Sequence, residues 1–192
     1  MGGMIAQTMA LSQPSRVLSL CSMMSTTGAR NLPEGDLKIQ LMLLRKPAPT
    51  FESRKASAIA NIVAISHPAV PAPGPLEQYC GEALKRSYHP VGAARQICAI
   101  LAQPDRTPLL ADLSMPALVL HGRGDRLVKL ACGEATAAAI GGDVIFHIVE
   151  GMGHSLNKLF YDEMVTAIVA NCERVGKGRG GVREGYVKVQ MT

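Results

Sequence analysis

The sequence predicts an α/β protein built on a short parallel sheet that helices cover on both faces. Three short runs are mostly apolar with little alternation, as is typical of strands buried on both faces: residues 16–24, 117–122 and 144–150. Helical patterns separate the later runs, and alternation of buried strands with helices favours parallel pairing. Because only three such runs are visible, we expect a truncated sheet of about three strands.

The helices follow from apolar spacing and from turn residues. Residues 4–12 predict a short helix that ends at the turn Ser12–Gln13–Pro14. The stretch 34–103 has a different character, because it is charged on one side and interrupted by prolines, and we interpret it as an inserted helical subdomain. Its pattern predicts four short helices, at about 35–45, 52–66, 76–88 and 91–102. Two later helices are predicted at 127–142, closed by glycines, and at the amphipathic segment 155–172.

These patterns divide the chain into four segments. Residues 1–32 hold the first helix and strand, and residues 33–112 hold the helical insertion and a linker that returns to the sheet. Residues 113–172 complete the α/β core. Residues 173–192 are rich in glycine and charge without a core pattern, which predicts a basic, flexible tail.

Composition and charge argue against several classes of partner. The chain has 192 residues and a net charge of +5, but the segment from Glu173 onward contains five basic residues and two acidic ones, so much of the excess lies there. The nearly neutral body argues against a dedicated nucleic-acid surface. No stretch approaches the ~20 apolar residues of a membrane span, and the N-terminus lacks the basic region of a signal peptide. We therefore expect no nucleic-acid and no membrane partner, and the oligomeric state stays open.

The cysteines predict a reducing, cytoplasmic location. They are odd in number, and no two have the spacing of a metal or redox motif, so we expect free and buried thiols. The histidines also lack helical or hairpin metal spacing. We therefore expect no metal. The five cysteines are Cys21, Cys80, Cys98, Cys132 and Cys172.

Two ionisable residues follow predicted strands at the positions where α/β proteins carry their chemistry. Asp125 follows the second strand in "HGRGDRLV", and His154 follows the third in "EGMGHSL". The carboxyl ends of adjacent parallel strands meet at one edge, so we expect the Asp125 carboxylate to orient the His154 imidazole through Nδ1. Glycines beside each residue are expected to allow tight turns. Taken singly, such an Asp commonly caps a helix, and such a His is commonly a plain loop residue.

These segments resemble the α/β-hydrolase family over residues 1 to about 172. "LVLHGRGDRLV" resembles the family's acid-bearing segment, and "EGMGH" resembles its histidine segment. "MGGMIAQTMALSQPSRVLSL" is similar to the segment that follows the nucleophile turn G-x-S-x-G, which in this subgroup commonly reads G-H-S-M-G-G. "SMMSTTGARNLP" and "AARQICAILAQPDRTPLLADLSMPALVLHG" are most similar to serine esterases of the aclacinomycin methylesterase type.

The resemblance implies hydrolysis of a small-molecule carboxylic ester without a cofactor. It makes His154 the general base and Asp125 its partner, and it makes the insertion a cap that walls the substrate pocket. Met1 aligns with the residue after the nucleophilic serine, whose backbone N–H belongs to the oxyanion hole, and Gly2 and Gly3 would let the helix approach that turn. Since the turn itself is not in the sequence, we expect the chain as printed to be inactive.

Other interpretations stay open. The chain could be a catalytically inactive α/β-hydrolase remnant that binds ligands, its basic tail could contact an anionic surface, or its first residue could be internal to a longer protein. Other hydroxyl groups are weak candidates for the nucleophile: Ser25, Thr26 and Thr27 are expected in a binding loop, and Ser155 at the start of the last helix. His121 is expected to serve packing. The strand at 16–24 is expected to have an open edge, which predicts aggregation or a molten state.

Overall fold

The computed structural model describes residues 1–70 and 74–176, and these form an α/β fold around one parallel sheet. Within them the sheet has three strands, β1 (Leu20–Met23), β2 (Ala117–Gly122) and β3 (Val144–Val149), in the order β1-β2-β3. β2 pairs with both neighbours in parallel, with Leu20 and Val144 in register with Ala117. The predicted fold class is confirmed.

The strand predictions differ from the structure mainly at the first strand. The predicted run 16–24 shortens to four residues, because Pro14–Arg16 forms a 3-10 turn before the chain extends. Pro14 has no N–H to give to a ladder, and its fixed φ suits the start of such a turn. β2 and β3 match their predicted bounds to within one residue.

Eight α-helices lie in the described ranges. The four predicted helices of the insertion are present. The helix Thr107–Leu110 was not predicted, because four residues carry no periodicity, and the last helix begins later than the predicted residue 155. Asn157 causes this delay, since its side chain accepts the Leu159 N–H and starts the 3-10 turn Lys158–Phe160. The helices are α1 (Gly2–Ser12), α2 (Leu37–Leu43), α3 (Phe51–Ile65), α4 (Leu76–Arg86), α5 (Pro90–Ala102), α6 (Thr107–Leu110), α7 (Leu130–Ile140) and α8 (Tyr161–Cys172).

The sheet lies between two helical layers. α1 and α7 cover one face, where alternate strand residues such as Leu20, Val119 and Phe146 form an apolar cluster. α8 covers the other face, where Leu118 and Leu120 pack with its apolar side. Every residue of β2 is buried, as the uninterrupted apolar run predicts for a strand with neighbours on both sides.

The helical insertion is thinly packed in comparison. α3 and α5 contain no buried residue, and the buried apolar side chains in the described part of α2–α5 are Ile39 and Cys80. α3 begins with a reciprocal capping box between Thr50 and Ser53. Local hydrogen bonds therefore define these helices more than core burial does.

The segment after α8 is described only in part. α8 ends at Cys172 and residues 173–176 form a turn, so most of the predicted tail lies outside the described residues. In the described ranges, no helix combines the length and the apolar character needed to cross a lipid bilayer. The four-segment division of the chain stays a prediction.

Candidate active site

The loops that follow β2 and β3 meet at the carboxyl edge of the sheet. Gly122, the last residue of β2, makes this contact possible, because a Cβ there would lie 2.5 Å from the Met152 carbonyl oxygen and 2.7 Å from that of Gly153. The Gly124 N–H also donates to the Met152 carbonyl at 2.9 Å. The backbones of the two loops are therefore in direct contact, and this contact does not depend on the functional side chains.

Asp125 is buried and held by its own loop. One carboxylate oxygen, Oδ1, accepts hydrogen bonds from the Leu127 N–H at 2.9 Å and the Val128 N–H at 2.8 Å. These two bonds satisfy one oxygen locally, as in an ordinary Asx turn. The other oxygen, Oδ2, is directed toward the neighbouring loop, so Asp125 both shapes its turn and presents an acceptor at the sheet edge.

His154 meets that acceptor. Its Nδ1 lies 2.7 Å from Asp125 Oδ2, and its side chain is about one-fifth exposed, which confirms the predicted proximity of the two residues. An ionised carboxylate only accepts, so the proton of the neutral ring lies on Nδ1 and Nε2 carries the free lone pair. In the described ranges no hydrogen bond to Nε2 is recorded, so the arrangement leaves a base at the surface of the site. The catalytic role of the two residues stays a prediction.

His121 lies beneath this pair and is fully buried, in agreement with its expected packing role. Its Nε2 donates to the Val128 carbonyl at 2.9 Å and lies 3.5 Å from Asp125 Oδ2. Burial lowers the pKa of His121, which keeps the ring neutral at neutral pH. A neutral His121 leaves the Asp125 carboxylate available to His154.

The glycines of these loops act differently from the sequence-based expectation. Gly151 has a φ of +73° and does make a turn that other residues rarely adopt. Gly124 and Gly153 have no such φ; a Cβ on Gly153 would lie 2.5 Å from the Ile65 carbonyl oxygen, and one on Gly124 would overlap the imidazole of His67. These two glycines permit close approach of the helical insertion.

No hydroxyl or thiol in the described ranges is recorded as a partner of His154. Ser22 receives a hydrogen bond from Gln7 at 2.9 Å, and Thr27 receives one from Thr107 at 2.8 Å. Ser25 is buried with no hydrogen-bond partner for Oγ. Ser155 lies in a loop that precedes the 3-10 turn, not at a helix start as predicted, and its Oγ is 2.6 Å from Ser66 Oγ.

The start of the chain lies at the carboxyl end of β1. Met1 is the N-cap of α1, and burial lowers the pKa of its α-amino group. Gly3 abuts Ser25, where a Cβ would lie 2.5 Å from the Ser25 Cβ, whereas a Cβ at Gly2 would meet nothing within 4 Å. The expected close approach therefore holds for Gly3 and not for Gly2. The oxyanion-hole role of Met1 stays a prediction.

Within the described residues, the cysteines and the potential metal ligands form no further candidate site. Cys80 and Cys132 are buried as expected, but Cys98 and Cys172 are exposed, because they lie on the outer faces of α5 and α8. Over residues 1–70 and 74–176, no group of three or more potential ligand side chains could hold a metal ion.

Comparisons with known proteins agree with this architecture. No protein-family model matches the chain. A relative from Klebsiella pneumoniae subsp. pneumoniae, named 2-hydroxy-6-oxononadienedioate/2-hydroxy-6-oxononatrienedioate hydrolase, is 31% identical over 159 residues, which are 80% of this chain and 53% of the relative. The chain thus spans about half the length of the curated relative that it matches.

Solved structures match most of the described chain. The 2-hydroxy-6-oxo-6-phenylhexa-2,4-dienoate hydrolase of Rhodococcus sp. strain RHA1 superposes with a TM-score of 0.65 at 17% identity, covering 90% of this chain and 61% of that one. An esterase from Exiguobacterium antarcticum superposes with a TM-score of 0.69 at 17% identity, covering 89% and 63%. The chain has part of the α/β-hydrolase fold.

Sequence reasoning missed the contact between the helical insertion and the histidine loop. The His154 backbone N–H donates to the Ile65 carbonyl at the end of α3, and Ser66 contacts Ser155. The second glycine of "EGMGH", Gly153, was the available signal in the sequence, since a glycine can mark a place where another backbone approaches closely. Its partner could not be identified from the sequence, because the contacting residues are separated by 89 positions.

Proposed function

We propose that Asp125 and His154 are the acid and the base of a serine hydrolase that cleaves small-molecule carboxylic esters. The observation that supports this proposal is the 2.7 Å contact between His154 Nδ1 and a buried carboxylate at the carboxyl edge of a parallel sheet. Such a contact fixes the tautomer in which Nε2 can accept a proton. Esterases of the aclacinomycin methylesterase type remain the more specific form of this proposal.

The proposed chemistry needs a nucleophile that the printed sequence does not supply. In this proposal a serine on a G-x-S-x-G turn directly precedes Met1, and the backbone amide of Met1 stabilises the oxyanion. His154 Nε2 removes the hydroxyl proton as the serine oxygen attacks the acyl carbon, and the imidazolium gives that proton to the leaving alkoxide. Water then repeats the sequence on the acyl-enzyme, releases the acid and restores the serine.

The helical insertion has a cavity that suits the proposed cap function. It measures about 320 Å³ and lies between α2, the end of α3 and the loop after β2. Its lining is mainly apolar, with Ser66 and two cationic side chains, Lys38 and Arg126, beside it. Neither Asp125 nor His154 lines this cavity; its link to the proposed site is Ser66, which contacts Ser155 in the histidine loop.

A second candidate reaction is hydrolysis of a 2-hydroxy-6-oxo-dienedioate. The observation that favours it is the 31% identity with the Klebsiella relative, whose name contains such compounds. The same base and nucleophile serve both reactions, because in each hydrolysis the leaving group takes a proton from the imidazolium. The bond that is cleaved would then depend on the cap.

Two protein forms and two substrates distinguish these candidates. The chain 1–192 and the same chain preceded by a strand and a turn ending in G-x-S are assayed with p-nitrophenyl butyrate and with a 2-hydroxy-6-oxo-dienedioate. We expect no turnover above background from the shorter form and ester turnover from the longer one. Preference for the dienedioate would favour the second candidate.

An inactive, ligand-binding remnant makes a different prediction for the same two forms. Neither would turn over either substrate, and the shorter form would bind a non-hydrolysable ester analogue with an affinity that His154→Ala leaves unchanged. Turnover by the shorter form that depends on His154 would show that one of its own side chains is the nucleophile.

A further inference from the structure

We propose that the carboxyl end of α3 positions His154, with Ser66 as the positioning residue. This inference rests on the proposed function, because it concerns the same histidine. The first observation is a backbone contact: the His154 N–H donates to the Ile65 carbonyl oxygen at 2.8 Å. The base of the candidate site thus donates its backbone hydrogen bond to the helical insertion and not to the sheet.

A side-chain contact holds Ser155, the residue after His154, against the same end of α3. Ser66 Oγ donates its single proton to the Ile62 carbonyl at 2.7 Å, so the bond of 2.6 Å between Ser66 and Ser155 must use the Ser155 hydroxyl as donor. Ser66 is buried, which shields this pair from competing water. Residues 154 and 155 are therefore both anchored to α3.

Close packing leaves little space for the end of α3 to move relative to the loop of His154. A Cβ on Gly153 would lie 2.5 Å from the Ile65 carbonyl oxygen and 2.8 Å from the Ser66 carbonyl carbon. The imidazole of His67 occupies the space above Gly124 on the other loop. The end of α3 thus lies against both loops that form the Asp125–His154 contact.

The two members of the pair differ in how they are held. Asp125 is fixed within its own loop by two backbone amides. The loop of His154 contains Gly151 in a left-handed conformation and precedes the last helix, so it has little regular structure of its own. The position of His154 therefore depends on α3 as well as on Asp125, whereas two backbone amides of its own loop hold the Asp125 carboxylate.

The insertion is also attached to the loop of Asp125. The Asp36 carboxylate binds Arg126 at 2.7 Å and Lys129, and the Asp36 N–H donates to the Arg126 carbonyl at 2.8 Å. These contacts anchor the beginning of the insertion to the loop of Asp125.

Proton exchange at His154 measures this positioning without any turnover. In the full chain labelled with ¹⁵N-histidine, the exchange rates of the His154 backbone N–H and of its Nδ1 proton are measured by NMR. We expect Ser66→Ala to raise both rates by about threefold to tenfold, the range that loss of one hydrogen bond produces. Ser57→Ala is the matched control, because Ser57 also donates to a carbonyl within α3, that of Ser53, at 2.8 Å.

A double-substitution cycle isolates the contact itself. Ser155→Ala removes the same hydrogen bond from the less buried side, and the double variant should exchange no faster than either single variant. Ser66→Thr keeps the hydroxyl and should restore slow exchange. Rates in Ser66→Ala and Ser155→Ala that equal those in Ser57→Ala, or effects of the two that simply add, would overturn the proposal. Failure of the ester assay alone would overturn the proposed function and leave this positioning intact.

Discussion

The α/β core and the helical insertion are built from similar amounts of apolar sequence but hold their structure by different means. Every residue of β2 is buried, whereas α3 and α5 bury none and depend on caps and local hydrogen bonds. The core fixes Asp125 at a strand end, and the insertion reaches His154 from outside. The difference teaches that the buried core holds Asp125 in its own strand-end loop, while the thinly packed insertion contacts the loop of His154.

Truncating one leucine in the core and one in the insertion should give the largest difference in the free energy of unfolding. Leu120 in β2 is fully buried, so Leu120→Ala should lower the free energy of unfolding by about 2–5 kcal/mol. Leu101 in α5 is 74% exposed, so Leu101→Ala should change it by less than about 0.5 kcal/mol. Urea unfolding of both variants measures the contrast, and equal losses would mean that the insertion has a core of its own.

The edge of β1 should make the core, not the insertion, the site of self-association. Apolar side chains are exposed on both helical layers, including Ile5 on α1 and Val169 on α8. We expect the chain 1–192 to associate or to melt broadly, and Ile5→Glu with Val169→Lys to shift gel filtration toward the monomer. Leu101→Glu, on the insertion, should leave the elution unchanged. A monomer with one sharp, reversible melting transition before any substitution would contradict this prediction.

His121 should make the stability of the core depend on pH near neutrality. Because burial lowers its folded pKa below the unfolded value of about 6.5, its contribution is complete above that pH and is lost as the pH falls below it. The free energy of unfolding should fall by at most about 1.4 kcal/mol per pH unit in that window. His121→Gln should flatten the profile.

A second group allows the origin of this pH dependence to be checked. Hydrogen bonds from Lys129 and then Arg126 lower the pKa of Asp36, so its contribution to stability is complete above the usual carboxyl range and is lost as the pH falls through that range to the lowered pKa. Asp36→Asn should therefore alter the profile in strong acid and not near pH 6. An unchanged slope near pH 6 in His121→Gln would show that another group titrates there.

Among the substitutions that are expected to lower the free energy of unfolding, the smallest loss should come from the N-terminal capping residue of α3, Thr50. Thr50→Ala removes the side-chain acceptor of the Ser53 N–H and should cost about 1 kcal/mol, expressed locally in an insertion that has little core. Hydrogen exchange should accelerate within α3 while β2 is unaffected. Equal acceleration in β2 would mean that insertion and core unfold as one unit.

The sequence predicted the core well, because strands that are buried on both faces are written in it as apolar runs. β2 and β3 appeared as apolar runs, and the rule that parallel strands present their carboxyl ends together brought Asp125 and His154 to one edge. The bounds of β1 and α8 were less accurate, because Pro14 and Asn157 impose local turns that periodicity does not register. The contact between Ser66 and Ser155 was missed, because two small polar residues far apart in sequence have no pattern that links them.

Ester hydrolysis by the chain preceded by a turn ending in G-x-S tests the central claim most directly. The kcat of that form is compared with the same form carrying His154→Ala or Asp125→Asn, with p-nitrophenyl butyrate as substrate. We expect losses of about 10⁶-fold for His154→Ala and about 10⁴-fold for Asp125→Asn, the sizes that loss of the base and of its orienting carboxylate produce. Retention of full activity by His154→Ala would contradict the assignment of the Asp125–His154 pair.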